Sequence, residues 1–397
     1  MTAATLVRVA ELAEQVRGVS YGKGDASDSP EEGCLPVLRA GNITDAGLVF
    51  EDLVYVPEGK ISKKQLLRAG DVLIAASSGS LDVVGKAAPV LADYEGAFGA
   101  FCKVLRPNTK RVDARYFSHF FRTAEYRRVV SSLAAGANIN NLRNEHLDDL
   151  LIPLPPIAEQ RRIAAILDKA DTLRTKRREA LAQLDRLTQS IFVEMFGEPV
   201  TNPKGWRKLE LGEIFGIARG GSPRPIDDYI TDAADGVNWV MIGDTEQGGK
   251  YIWSTKKKIR PEGVKRSRLV KSGDFLLTNS MSFGRPYILK TSGCIHDGWL
   301  VLSPQVTDFN SDYFYTLLGS QAVFTEFSRR AAGATVKNLN IDLVAGVEVA
   351  VPPLEEQRKF AKAVEAIEAM KAHGESSASQ LDSLFGSLQV RAFSGEL

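Results

Sequence analysis

The chain repeats itself at long range, and no other feature limits its fold as strongly. Residues 131–142, SSLAAGANINNL, and 328–339, SRRAAGATVKNL, are identical at seven of twelve positions at an offset of 197. At the same offset PPIAEQR (155–161) meets PPLEEQR (352–358), with five of seven positions identical. Upstream, LLRAGDVLIAASSGS (66–80) aligns with RLVKSGDFLLTNSMS (268–282) on Gly70-Asp71 and Gly273-Asp274, and LRAGNIT (38–44) resembles VMIGDTE (240–246). A period near 200 far exceeds any solenoid repeat, so it marks a duplicated domain. The order of matches divides the chain into 1–155, 156–197, 198–352 and 353–397: a domain and a segment of different character, used twice.

Within each copy the first part reads as β-rich. LVYVP, DVLIAAS, AFCKVL, NWVMIG and DFLLTN are short apolar runs bounded by Gly, Pro, Asn and Asp, the mark of strands and turns. A helical pattern follows, DARYFSHFFRTAEYRRVVSSLA in the first copy and SDYFYTLLGSQAVFTEFSRRA in the second. Phe117, Phe120 and Phe121, and their counterparts Phe314, Leu317 and Leu318, recur at three- and four-residue spacing, which predicts a buried helix face. A loop holding Gly136 or Gly333 and a short extended stretch then lead to Pro-Pro.

After Pro155-Pro156 the composition changes. Residues 158–196 contain neither Gly nor Pro, and Ile163, Ile166, Ala170, Leu173, Arg177, Ala180, Leu184, Leu187 and Ile191 follow alternating three- and four-residue steps. That is an a/d heptad seam with a polar interruption at Arg177. Its counterpart is Phe360, Ala363, Ile367, Met370, Gly374, Ser377, Leu381, Leu384 and Leu388, interrupted at Gly374 and Ser377. Two such helices are expected to pack as an antiparallel coiled coil, each about 58 Å long at 1.5 Å per residue. Glycine costs about 1 kcal/mol in a helix interior, so a kink or loosened turn is expected at Gly374. The fold class is therefore α+β: two pseudo-symmetric β-rich domains separated by two long helices.

Much chemistry is absent from the sequence. Cys34, Cys102 and Cys294 are scattered without CxxC spacing, so neither a disulfide framework nor a zinc cluster is indicated. His119, His146, His296 and His373 lie far apart and read as ordinary residues, with no metal site expected. There is no GxxxxGK phosphate loop or GxGxxG turn. Glu58-Gly59-Lys60, with Asp52 upstream, has the form of a metal-nuclease fragment but reads as a solvated turn without a counterpart in the second copy. No stretch approaches the roughly 18 apolar residues of a membrane span, and the N-terminal segment lacks a signal-type core. A soluble, cytoplasmic, non-catalytic protein is the expectation.

Charge then becomes the informative quantity. Fifty Lys+Arg against forty-nine Asp+Glu leave a net charge of +1, which excludes a uniformly basic coat but not local patches. Lys256, Lys257, Lys258, Arg260, Lys265, Arg266, Arg268 and Lys271 crowd sixteen residues with one acid, Glu262. The first copy carries Arg106, Lys110, Arg111, Arg115, Arg122, Arg127 and Arg128. Residues 161–178 hold seven bases and two acids, whereas 355–397 hold seven acids and five bases. Near the basic runs lie Asn- and Ser-rich turns, and Asn, Ser and Arg suit base-edge and phosphate hydrogen bonding.

The segment PLPPIAEQRRIAAILDKAD, its echo VPPLEEQRKFAKAVEAIE, the linker FVEMFGEPVTNPKGW and the closing RAFSGEL resemble the DNA-specificity subunit of type I restriction–modification enzymes. The resemblance spans nearly the whole chain, and the doubled Pro-Pro-x-x-Glu-Gln-Arg is its most specific part. It implies two target recognition domains held apart by an antiparallel helix pair, each reading one half of a split, asymmetric site in double-stranded DNA. It also implies docking of two methyltransferase subunits and of restriction subunits. S-adenosylmethionine, ATP and Mg would then belong to those partners, and no cofactor to this chain.

DNA-contact candidates under this resemblance are Arg39, Asn42, Ser77, Ser78, Ser80, Lys86, Asn138, Asn140, Asn141 and Arg143 in the first copy. In the second they are Arg224, Lys256, Lys257, Lys258, Arg266, Arg268, Asn279, Ser280, Arg285, Thr335, Lys337, Asn338 and Asn340. A competing reading is a coiled-coil structural adaptor whose domains bind peptides without DNA specificity. A fused restriction–methylation enzyme is disfavoured, since no cofactor loop or NPPF-type tetrad is present.

Overall fold

The computed structural model describes residues 5–134, 140–246, 249–279, 283–331 and 338–397. The chain forms two compact units, Met1–Ala180 with Gly374–Leu397, and Leu181–His373. Each contains one β-rich body and half of each long helix, Ile157–Phe196 and Leu354–Ser394. Among the described residues, no helix is long and apolar enough to cross a membrane.

The two bodies share one frame. In the first unit Thr5–Arg8 runs antiparallel to Leu151–Leu154, and in the second Arg207–Glu210 runs antiparallel to Glu348–Val351. Each opening strand is thereby fastened to the strand that leads into Pro-Pro. One sheet is ordered Ala13–Arg17, Cys102–Pro107, Val72–Ala75, Ala87–Pro89 in the first unit. Its counterpart is ordered Phe215–Arg219, Trp299–Pro304, Phe275–Thr278, Pro286–Leu289, Tyr251–Ile252. Second sheets centre on Cys34–Leu38 and on Val237–Val240. The apolar runs read as strands fall on strands, Val54–Pro57, Val72–Ala75 and Phe275–Thr278 among them.

The aligned Gly-Asp dipeptides have a structural task. Asp71 is buried, accepts from the Arg68 N–H at 2.9 Å and takes Arg106 in a two-point ion pair at 2.8 and 2.7 Å. Asp274, equally buried, accepts from the Lys271 N–H at 2.9 Å and from the Ser303 hydroxyl at 2.7 Å. The same carboxylate thus closes the same turn, with Arg in one copy and Ser in the other as its second partner.

The helical stretch after the sheets is two helices in each copy rather than one: Ala114–Phe120 and Ala124–Ala134, then Ser311–Leu318 and Gln321–Arg330. A hydroxyl at each junction supplies the break. Thr123 Oγ1 accepts from the Tyr126 N–H at 3.2 Å and Ser320 Oγ from the Val323 N–H at 3.3 Å, giving the second helix its own cap. Phe117, Phe121, Phe314, Leu317 and Leu318 are buried as their spacing predicts, with Phe120 partly so.

Where each long helix begins, the repeated motif acts as a clamp. The buried Gln160 accepts from the Asp113 N–H at 2.8 Å and donates to the Pro155 carbonyl at 2.8 Å. Asp113 in turn caps Ala114–Phe120 by accepting from the Arg115 and Tyr116 N–H groups. In the second unit Gln357 accepts from the Asn310 N–H at 2.9 Å, donates to the Pro352 and Asp308 carbonyls, and Asn310 caps Ser311–Leu318. Tyr116 and Tyr313 add a second tie through their hydroxyls, donating to the Pro153 and Ala350 carbonyls.

The helices pack antiparallel within each unit. In the first, Arg174 Nε meets Asp382 Oδ1 at 2.6 Å and Arg162 donates to the Leu397 carbonyl. In the second, Lys371 Nζ meets Asp185 Oδ1 at 2.6 Å, and Phe360 packs edge-on to Phe192 and Phe196. Residues 174 and 371 are equivalent in the repeat, as are 185 and 382, so the two ion pairs are one contact made twice.

The expected seam is only half right. Ile163, Ala170, Leu184, Ile191, Phe360, Ile367, Leu381 and Leu388 turn inward or are half-buried, as is Ile166. Leu173 (47% exposed), Leu187 (42%), Met370 (56%) and Leu384 (51%) turn out. Their inward places are taken by the next residues, Arg174, Thr188, Lys371 and Phe385. Steps of three and four alternate in either choice, so periodicity alone does not select the row. The ion pairs do, because Arg174 and Lys371 lay their stems in the seam and meet an acid at the far end. The loosened turn expected at Gly374 is also absent: the helix is continuous through that buried glycine, since packing overrides a propensity cost of this size.

Replacing Gln357 by Leu is expected to orphan the Asn310 N–H and to cost the second unit about 1–3 kcal/mol. Amide hydrogen exchange over Ser311–Leu318 checks this, and unchanged protection there would refute the clamp.

Candidate nucleic-acid interface

In the first unit, candidates far apart in sequence come together. The short strand Ser77–Ser78 pairs antiparallel with Asn140–Asn141, and the Leu142 N–H donates to the Ala76 carbonyl at 2.8 Å. Ser77 and Ser78 share the lining of a cleft of about 840 Å³ with Arg39 and Asn42. Asn42, however, is buried and fully engaged: its carbonyl accepts from the Arg39 N–H, and its amide donates to the Val49 and Glu51 carbonyls. It shapes the loop rather than offering an amide to a base, which removes it from the contact set. Arg39 donates to the Asp52 carbonyl at 2.7 Å. Lys86 pairs with Asp45 at 3.6 Å, Arg143 with Glu145 at 3.4 Å, and Ser80 is exposed.

In the second unit, Lys257 and Lys258 lie on the strand Lys257–Ile259, with Lys257 exposed. Lys256 donates to the Gly243 carbonyl at 2.8 Å, Arg266 lies over the Tyr229 ring at 5.7 Å, and Arg268 is exposed beside the Arg219 carbonyl. Arg224 pairs with Asp297 at 3.2 Å. Hydrogen bonding from Ser222, aided by Arg224 and His296, holds the Asp297 carboxyl below its usual range. Burial pushes the His296 imidazole down, although Asp297 opposes it. Arg285 lies over Tyr287 at 5.4 Å and Asn338 is exposed. Two asparagines are corrected to structural duty. Asn279 is buried with its amide donating to the Asp297 carbonyl at 2.7 Å, and Asn340 caps Ile341–Ala345 through the Leu343 N–H. Asn138, Ser280, Thr335 and Lys337 lie outside the described residues, as does the side chain of Asn140.

The first copy's arginine-rich run is largely spent inside its own unit. Arg106 is locked to Asp71, which raises its pKa. Arg115 meets Asp168 at 3.1 Å and Arg122 meets Asp171 at 2.8 Å, both acids on the first long helix. Arg111 donates to the Glu11 carbonyl and Arg127 to the Val84 and Asp82 carbonyls. This run fastens helix to body, so its charge is not a free strip. Missed residues are aromatic. Phe101 (69% exposed) lines the cleft, and Trp253 (66% exposed) lies near Lys290 beside Tyr251. Phe101 sits inside a strand-like apolar run, whereas Trp253 three residues before a lysine triplet was a legible signal.

Among the described residues, no cluster of His, Cys, Asp and Glu is arranged to hold a metal ion. The sequence profile described as the type I restriction modification DNA specificity domain matches twice, over residues 6–184 and 203–376. The chain belongs to this family. It is a sequence-specific DNA-binding subunit, and specificity subunits of these systems are non-catalytic. Family membership sets aside the peptide-binding adaptor.

Among its relatives, the StySPI specificity subunit of Salmonella potsdam is 27% identical over 98% of this chain and 88% of its own length. The EcoKI specificity subunit of Escherichia coli K12 is also 27% identical, with the same coverage. A solved chain from work on complex assembly and conformational transition of the type I R-M system shares the fold. It has a TM-score of 0.62 at 20% identity, over all of this chain and 99% of that one.

Exchanging Lys257 or Arg268 for Gln is expected to weaken binding to all duplexes alike and to reduce the salt slope by about 0.9 per lost phosphate contact. Arg115→Gln and Arg122→Gln are expected to leave that slope unchanged. Titrations of the assembled complex at several salt concentrations check both, and a slope moved only by the second pair would reverse the assignment.

Proposed function

We propose that this specificity subunit reads a split, asymmetric site in double-stranded DNA, one half per unit. One observation carries the proposal: a single frame is used twice with unlike side chains at equivalent positions. The main-chain turn that Asn42 closes by accepting from Arg39 N–H is closed in the second unit by Asp244 accepting from Met241 N–H, both at 2.8 Å. Arg39 and Met241 are thus counterparts. So are Phe101 and Gly298, whose carbonyls accept from the Ala76 and Asn279 N–H groups. Identical frames suit two similar approaches to DNA, and unlike side chains suit two different half-sites.

The two long helices serve as docking rails for two methyltransferase subunits in this proposal. Leu173 and Leu384 are exposed in the first unit, Met370 and Leu187 in the second. These are the same two repeat positions, since 173 corresponds to 370 and 187 to 384. Equivalent apolar positions, one set per unit, suit two copies of one partner. Restriction subunits join this assembly, and S-adenosylmethionine, ATP and Mg reside on the partners. The complex is cytoplasmic.

Leu173→Glu with Leu384→Glu is expected to remove one methyltransferase copy, and the addition of Met370→Glu with Leu187→Glu to remove both, by mass measurement of the purified complex. A full complex with all four substitutions would overturn the docking rails. Seven residues inserted into each helix add about 10 Å at 1.5 Å per residue. This is expected to lengthen the unread gap by about three base pairs at ~34 Å per turn, read from methylation of duplexes of graded spacing. An unchanged gap would overturn the spacer role.

A further inference from the structure

The first unit opens a cleft of about 840 Å³ beside Gly99 and Ala100, and at the positions matching these two residues the second unit carries longer polar side chains. Close main-chain approach aligns the two copies: a Cβ at Gly18 would lie 2.1 Å from the Gly99 carbonyl oxygen, and one at Gly220 would lie 2.0 Å from that of His296. The Cys102 N–H donates to the Gly99 carbonyl as the Trp299 N–H does to that of His296. Gly99 and Ala100 therefore stand where the second unit has His296 and Asp297. Those two side chains are engaged within their own unit. His296 Nδ1 accepts from the Gly298 N–H at 2.9 Å with its ring set against the Ile242 backbone, while Asp297 takes the Ser222 hydroxyl at 2.7 Å and Arg224. With Gly and Ala in their place, the first unit keeps the space open.

The open cleft is also built. Arg39 and Asn42 tie down residues 49–52 through the Asp52, Val49 and Glu51 carbonyls. Asp52 is thereby held at φ 50°, a left-handed conformation uncommon for a side-chain-bearing residue. On another side the Phe101 carbonyl accepts from the Ala76 and Ser77 N–H groups at 2.8 and 3.0 Å, which fixes the backbone beneath an exposed ring. Tyr21 lines the interior, and burial pushes the nearby Cys102 thiol up to about 12, so it is a neutral wall. Carboxylates, hydroxyls, a guanidinium and two rings on a concave surface match the edge and methyl chemistry of nucleobases.

Resting on the DNA-reading function above, the geometry points to this cleft as the base-reading site of the first unit. It takes an amino-bearing base of the target duplex, adenine or cytosine, with Glu51 and Asp52 as acceptors and Phe101 at the lip. The two units thus differ in side-chain size at one position of a shared frame, beside the cleft of the first.

The test uses the full chain assembled with its methyltransferase and duplexes altered one base pair at a time. Gly99→His with Ala100→Asp grafts the second unit's side chains into the cleft of the first. Phe101→Ala alters an exposed ring whose loss leaves the core intact, so a folding failure of the graft does not decide the matter. Each is expected to weaken binding by about tenfold to a hundredfold and to erase discrimination in one half-site only. Glu51→Ala, which removes the acceptor, is expected to abolish the preference at an adenine or cytosine within that same half. Full discrimination in both halves with Phe101→Ala and Glu51→Ala would overturn the cleft assignment. An unaltered complex that discriminates no duplex would instead overturn the DNA-reading function itself, and this proposal with it.

Discussion

A buried glutamine at the root of each long helix governs how the molecule is assembled. Gln160 and Gln357 each satisfy a backbone N–H that begins a neighbouring helix and a carbonyl of the Pro-Pro stretch that begins their own. An amide offers donor and acceptor at opposite sides of one short group, so a single side chain fixes two helix starts together. Leu could fill the volume but would leave both backbone groups unpaired in a dry site, where each costs more than a typical hydrogen bond returns. The direction in which each helix leaves its own body is thereby set, and with it which residues face inward along the helix pair.

From that root outward, the ionic contacts choose among packings that hydrophobic pattern leaves nearly equal. Arg174 with Asp382 and Lys371 with Asp185 are equivalent contacts in the two units, and Arg174 also lies 4.3 Å over the Phe385 ring. Exposed ion pairs contribute little by themselves. Here their weight lies in selection, because burying Leu173 in place of Arg174 would strand a guanidinium away from its carboxylate. The same choice leaves apolar side chains outside at equivalent positions of each unit, which gives a partner something to cover.

Much of this was legible in the sequence, and what was not has physical reasons. The duplication, the strands and both long helices could be read, because identity at a fixed offset and absence of Gly and Pro are unambiguous. The inward row was not, since alternating steps of three and four fit Ile166 or Leu167 equally and only three-dimensional pairing separates them. The site was the least legible part. Asn42 and Asn279 have the composition of base readers, yet their amides are consumed by backbone groups. Arg115 and Arg122 belong to a run that looks like a DNA-facing strip, yet they meet acids about fifty residues away. Local sequence shows the charge of a side chain but not the partner that neutralises it. Near-zero net charge therefore fits a DNA-binding chain: much of the basic charge is internally paired, and a weak general field limits nonspecific binding.

Two similar frames with different surfaces imply that one chain specifies two unlike half-sites. The most direct measurement is a genome-wide map of methylated adenines in cells carrying this chain with its cognate methyltransferase. The account predicts one bipartite motif, with unlike halves and an unread gap of constant length. A single contiguous motif, two identical halves, or modification without any motif would contradict it.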